Sequence, residues 1–123
     1  MAVILVIDDN AEVANTVALA LKDAGHKATI TTSISDARQR LDEDKFDGVI
    51  IDVWMDHDDG LDIAAEIAGR EPGLPFIVMS GGGPGKTLET VTARADSLGA
   101  AAMLFKPFDE DELIAAVEQM LKR

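Results

Sequence analysis

Five short apolar runs, each followed by a helical pattern, leave this chain few architectures. The runs are AVILVID (residues 2 to 8), KATITT (27 to 32), DGVIIDV (47 to 53), PFIVMS (75 to 80) and AAMLFK (101 to 106). Stretches such as VILVI and VII are continuously apolar, as strands covered on both faces must be; a strand with one wet face would alternate. After them, apolar residues recur at three- and four-residue steps: Val13, Val17, Ala20, Leu21; then Ile34, Ala37, Leu41; then Leu61, Ala64 and Ile67 or Ala68. Leu88, Val91, Ala95 and Leu98 continue the pattern, and Leu113, Ile114, Val117, Met120 and Leu121 close it. Such steps mark one buried helix face. Ser33 with Asp36, and Asp109 with Glu112, have capping-box spacing at helix starts, while Gly25 and Gly99 follow helix ends. The prediction is strand then helix, five times, with a parallel sheet between two helical layers.

A chain of 123 residues, 47% hydrophobic and 28% charged, has the size and balance of one domain around one sheet. It has no cysteine, which excludes disulfides and thiolate metal sites. MAVILVIDD lacks the basic start, apolar length and cleavage site of a secretory signal. No run approaches membrane-spanning length. The formal net charge of −12 argues against direct contact with nucleic acid or an anionic membrane, since both are held by concentrated Lys and Arg. A cytoplasmic location is the expectation.

In an open α/β sheet the ligand site lies beyond the carboxyl ends of the strands. There this sequence places Asp8 and Asp9 after the first run, Asp52 after the third, Ser80 after the fourth, and Lys106 with Pro107 after the fifth. The second run ends in Thr31, Thr32 and Ser33, with no comparable charge. Converging carboxylates raise one another's pKa unless a cation neutralises them. A hard divalent ion such as Mg2+, which takes oxygen ligands and completes its shell with water and phosphate oxygens, suits that set. Lys106 and Ser80 would then meet other phosphoryl oxygens. Asp52, central in the sheet, is the natural nucleophile for an aspartyl phosphate.

With VIDD, VIIDVWM, the Gly60-Leu61 of DDGLD, IVMSG and FKPF in this order and spacing, the chain resembles the receiver domain of two-component response regulators over essentially its whole length. The resemblance implies a flavodoxin-like doubly wound fold with five parallel strands in order 2-1-3-4-5. It implies that Asp52 is phosphorylated by a histidine kinase or a histidine phosphotransfer protein. Asp9, Asp52 and the backbone carbonyl of Trp54 would bind Mg2+, with Asp8 acting through water. Lys106 would pair with the phosphoryl group, Ser80 would move toward it, and Lys106-Pro107 would be cis. The expected product is a receiver without an output domain, read by a downstream protein target and turning over no metabolite. An excised piece of a larger regulator fits equally well.

Other motifs in the sequence lead elsewhere and fall short. SGGGPGKT suggests a phosphate-binding loop, but counting back from Gly85-Lys86-Thr87 puts Ser80 where the first required glycine belongs. Gly81, Gly82, Gly83 and Gly85 more simply supply conformational freedom, and Gly81 would keep the approach to the phosphoryl group open. A haloacid-dehalogenase-type phosphatase needs an Asp two positions past the nucleophile, where this chain has Trp54. A calcium loop with Gly60 at its sixth position would have Met55 first and His57 third. Neither His26 nor His57 has a companion for a transition-metal site. Two departures from the family stand out. Met103 replaces the aromatic or histidine commonly found three residues before the lysine, which puts the usual switch in question. Asp56 stands where proline is frequent, and with Asp58 and Asp59 it makes that loop acidic and more dependent on Mg2+. Bulky Trp54 would slow or redirect hydrolytic water. The rival reading is a phosphorylation-independent binding module on the same fold.

Overall fold

Strands buried on both faces need a helical layer on each side, and the computed structural model of the chain supplies both. It describes residues 2–55, 58–70, 73–81 and 88–122. Numbering only the strands of the main sheet, the elements are β1 (Val3–Ile7), α1 (Ala11–Asp23), β2 (Lys27–Thr31), α2 (Ile34–Glu43) and β3 (Gly48–Asp52). They continue with α3 (Gly60–Ala68), β4 (Phe76–Ser80), α4 (Leu88–Ser97), β5 (Ala102–Phe105) and α5 (Glu110–Leu121). The five strands pair in parallel in the order β2-β1-β3-β4-β5. This is the flavodoxin-like order that the family resemblance implies. A two-residue antiparallel ladder, Trp54–Met55 with Asp58–Asp59, follows β3.

The pleat sends alternate residues to opposite sides. Leu5, Ile7, Val49, Ile51, Phe76 and Val78 pack under α2, α3 and α4 with Ile34, Leu41, Ile63, Ile67, Val91 and Ala95. Ile4, Val6, Ile50, Ile77 and Met79 pack under α1 and α5 with Val17, Leu21, Leu113, Val117 and Met120. All of β3 and β4 is buried, as central parallel strands should be. In α3, Ile67 is buried and Ala68 is exposed, which settles the alternative left by the sequence.

Local chemistry ends the helices where the sequence indicated. Asp109 and Glu112 form a complete capping box, and the Ser33 side chain accepts from the Asp36 N–H at 3.1 Å. Gly25 (φ 90°) and Gly99 (φ 87°) take the left-handed conformation just past α1 and α4. Gly60 answers to close approach instead. Its N–H donates to the Val53 carbonyl at 2.8 Å, and a Cβ there would overlap the carbonyl oxygen of Asp52.

The register sets the strand ends level. Ile7 lies opposite both Thr31 and Ile51, Asp52 opposite Met79, and Ser80 opposite Phe105. Past these pairs the chain turns away from the sheet, and the side chains at the turns face one another. Among the described residues, no helix is long and apolar enough to cross a membrane.

Candidate functional site

Each functional side chain sits on the last residue of a strand or just beyond it, so rigid backbone fixes its position. Asp52 ends β3 and is 4% exposed; Asp8 follows β1 and is fully buried; Asp9 beside it is exposed. Carboxylate oxygens of the three lie within 4.8 Å of one another. Ser80 ends β4 and is buried. Its backbone carbonyl accepts the Lys106 N–H at 2.8 Å, which ties the lysine-bearing turn to the hydroxyl-bearing strand. The Lys106-Pro107 peptide is cis, as expected from the family.

Lys106 reaches into the acidic cluster. Its Nζ lies 3.2 Å from Asp8 Oδ2 and 3.2 Å from Asp52 Oδ1. Burial is the largest influence on Asp52 and raises its pKa. Asp8 pushes the same way, Lys106 opposes both, and the outcome is a rise from 3.8 to about 6. For Lys106, burial acts to lower the pKa, but the Asp52 and Asp8 carboxylates and their hydrogen bonds outweigh it and hold the ammonium above its ordinary value. The centre thus has an excess of negative charge that one lysine only partly offsets. That donor set, oxygen-only with two acids buried and one open to solvent, fits a hard divalent cation.

The sequence-derived residues Asp8, Asp9, Asp52, Ser80 and Lys106 all gather at this edge. Trp54 contributes its backbone to the short ladder after β3, paired with Asp59; its side chain lies outside the described residues, as do those of Asp58 and Asp59. Asp56 and His57 lie outside as well. So do Gly82, Gly83, Gly85, Lys86 and Thr87 of the glycine-rich stretch. Gly81 is described and exposed, and a Cβ there would meet the Lys106 side chain at 3.4 Å, an ordinary contact. Glu66 of α3 is engaged through both carboxylate oxygens by Arg38, whose Nε donates to Oε1 at 3.0 Å and Nη2 to Oε2 at 2.8 Å. Met103 is half-buried against the α2–α4 core.

Two participants escaped the sequence reading. Asn10 caps α1 through its side chain while its own N–H donates to Asp8 Oδ1 at 2.9 Å. An Asx-type hydrogen bond has only a composition cue, an Asp two residues before the donor, and Asp8-Asp9-Asn10 carries it. Phe105, immediately before Lys106, is 45% exposed. It borders an open groove of about 750 Å3 with Met103, Thr92, Ala93 and Asp96. Since β5 is an edge strand, one of its faces is only partly covered, which the apolar run AAMLF does not reveal.

A fold with acidic residues, a hydroxyl and a lysine at these strand ends defines a class, and comparison with known proteins identifies it. The model of the response regulator receiver domain matches residues 4–118, so the chain belongs to that family, the phosphoacceptor switches of two-component signalling. An NtrX-like response regulator of Rickettsia bellii is 33% identical over 118 residues, covering 94% of this chain and 24% of that protein. The crystal structure of NtrX from Brucella abortus superposes with a TM-score of 0.87 at 32% identity, over 98% of this chain and 27% of the other. A response regulator from Burkholderia pseudomallei, described with a phosphorylated aspartic acid, a calcium ion and citrate, gives 0.82 at 27% identity, over 94% of this chain and 66% of that one. The chain thus spans about a quarter of the NtrX-type relatives.

Proposed function

We propose that Asp52 is the phosphoacceptor and that a histidine kinase or a histidine phosphotransfer protein is the donor. The observation that carries this reading is the position of Lys106 Nζ, 3.2 Å from carboxylate oxygens of both Asp8 and Asp52. A cation beside two buried carboxylates supports a reading in which a phosphoryl group is received there. Asp9 and Asp52, with the Trp54 carbonyl and with Asp8 through water, would hold Mg2+. The ion would supply charge neutralisation of the acids and of the incoming phosphoryl oxygens.

An Asp52 oxygen attacks phosphorus as the phosphorus–nitrogen bond to the donor imidazole breaks, and the departing ring nitrogen takes up a proton. The phosphoryl group then carries the negative charge nearest Lys106, whose ammonium leaves Asp52 to pair with it. Ser80, buried at the end of β4, donates to another phosphoryl oxygen. Its backbone link to Lys106 N–H joins the two responses. Attack by water on phosphorus restores the carboxylate, so the chain catalyses only its own modification and its reversal. The change is read by a downstream protein in the cytoplasm, with neither nucleic acid nor membrane contacted directly. The described phosphoaspartate of the Burkholderia relative supports the chemistry.

The test is the intact mass after incubation with a small acyl phosphate, with and without Mg2+, beside Asp52→Asn. One Mg2+-dependent phosphoryl adduct, missing from the variant, is expected. An unlabelled wild type under conditions that label another receiver would leave a phosphorylation-independent binding module. An adduct retained by the variant would move the acceptor elsewhere.

A further inference from the structure

Asp8 is fully buried, and each of its oxygens has a named partner: Oδ2 faces Lys106 Nζ at 3.2 Å, and Oδ1 accepts the Asn10 N–H at 2.9 Å. The first partner is shared with Asp52, and by the reading above it also turns to the phosphoryl group when one arrives, so Asp8 holds it only in competition. Asn10 is then what keeps the Asp8 carboxylate in plane. Its N–H is aimed by its own backbone, extended at φ −87° and ψ 105°, the conformation of a helix cap. The side chain maintains that conformation: Asn10 Oδ1 accepts from Glu12 N–H at 3.0 Å and Val13 N–H at 3.3 Å, and the Asn10 carbonyl accepts from Ala14 N–H at 3.0 Å. Two hydrogen-bonded turns therefore run in series, from Asp8 to Asn10 and from Asn10 into α1. Asp9, the exposed acid, is the residue clamped between them.

The geometry points to Asn10 as a positioning residue for the acidic pair: its side chain, by capping α1, fixes the N–H that orients Asp8 and the bend that presents Asp9. This rests on the proposed Mg2+-assisted phosphoryl acceptance. Groups that hold metal ligands from behind typically influence affinity by an order of magnitude. Asn10 is not among the residues proposed to hold the metal or the phosphoryl group, so its influence would pass through the orientation of Asp8 and Asp9.

A cap also stabilises its helix, so the experiment must separate stability from positioning. Glycine serves because it costs a helix start only slightly while supplying no side-chain acceptor; serine keeps an acceptor oxygen. The wild type, Asn10→Ala, Asn10→Gly and Asn10→Ser are titrated with MgCl2. The readouts are the fluorescence of Trp54, the chain's single tryptophan, and the Mg2+-induced rise in melting temperature. Melting temperatures without Mg2+ are compared alongside. The expected result is Mg2+ binding weakened about three- to tenfold in both the Ala and Gly variants, with Ser within about twofold of wild type. Gly should show this weakening with a metal-free melting temperature close to wild type. Wild-type binding in the Gly variant, or weakening that tracks the metal-free melting temperature across the set, would overturn the role of Asn10 alone. A wild-type chain that binds no Mg2+ overturns the site reading beneath it, and the role with it.

Discussion

Asp52 is asked to be two things that oppose each other: buried enough to exclude water and charged enough to attack phosphorus. Burial and Asp8 win in the metal-free protein, holding its pKa at about 6, and Lys106 is the main restraint on a larger rise. Lys106→Ala should therefore move the Asp52 titration above its wild-type midpoint, because burial and Asp8 remain when the opposing cation goes. Carboxyl carbon NMR of Asp52 across a pH series reads this directly. An unchanged or lowered midpoint would mean that the 3.2 Å contacts do not persist in solution. At this scale most of the site was legible, because Asp8, Asp9, Asp52, Ser80 and Lys106 each mark the end of an apolar run and parallel topology brings such ends to one edge. Asn10 was not: its effect is a backbone N–H on a neighbour's carboxylate, and a backbone donor carries no residue-type signature. Nor were pairs such as Arg38 with Glu66, since a separation of 28 positions in sequence hides a contact between α2 and α3.

After β3 the chain must leave the sheet and begin a helix within a few residues, and Gly60 meets the close approach that this requires. It begins α3 with its backbone pressed on the Asp52 carbonyl, so the missing side chain is a requirement of space. Gly60→Ala would place a methyl group against backbone, which cannot rotate aside as a side chain would. A loss of about 2 to 3 kcal/mol in urea unfolding is expected, together with weaker Mg2+ binding as Asp52 is displaced. Full stability in that variant would show that the β3–α3 turn relaxes readily. Gly48 makes the contrast: a Cβ there meets only the flexible end of Met120. The elements themselves were read closely from sequence, since two-sided burial leaves an apolar signature that few other structures share. Strand ends were drawn one residue too long; Asp8 and Lys106, for example, were counted with their runs but lie just past the strands. Ile63 went unassigned because a face read at Leu61, Ala64 and Ile67 omits a residue that a helix packed under both the sheet and its neighbours also buries.

Taken as a whole, the molecule sets a well-satisfied apolar frame against one strained cluster of charge, and pH should expose that division. The folded protein holds the Asp52 proton more tightly than the unfolded chain, with a pKa of about 6 against 3.8. Its contribution is therefore favourable while the carboxyl is protonated. It is fully present below the unfolded value and lost as pH rises from about 4 to about 6. Above that window, keeping Asp52 ionised costs roughly 3 kcal/mol in the metal-free protein, from 1.36 kcal/mol for each pKa unit. Other acids titrate over the same range, and some oppose it. Glu66, whose hydrogen bond with Arg38 lowers its pKa, contributes stability that is lost as pH falls, although its exposure keeps that effect small. The clean quantity is thus the difference between wild type and Asp52→Asn, measured by urea unfolding without Mg2+ from pH 4 to pH 8. The variant should gain on the wild type by roughly 3 kcal/mol between pH 4 and pH 7, then hold level. Mg2+ at pH 7 should reverse much of this gain by stabilising the wild type and not the variant. A difference that stays flat with pH would mean that Asp52 ionises as easily folded as unfolded. The cluster would then hold no excess charge for a cation or a phosphoryl group to relieve.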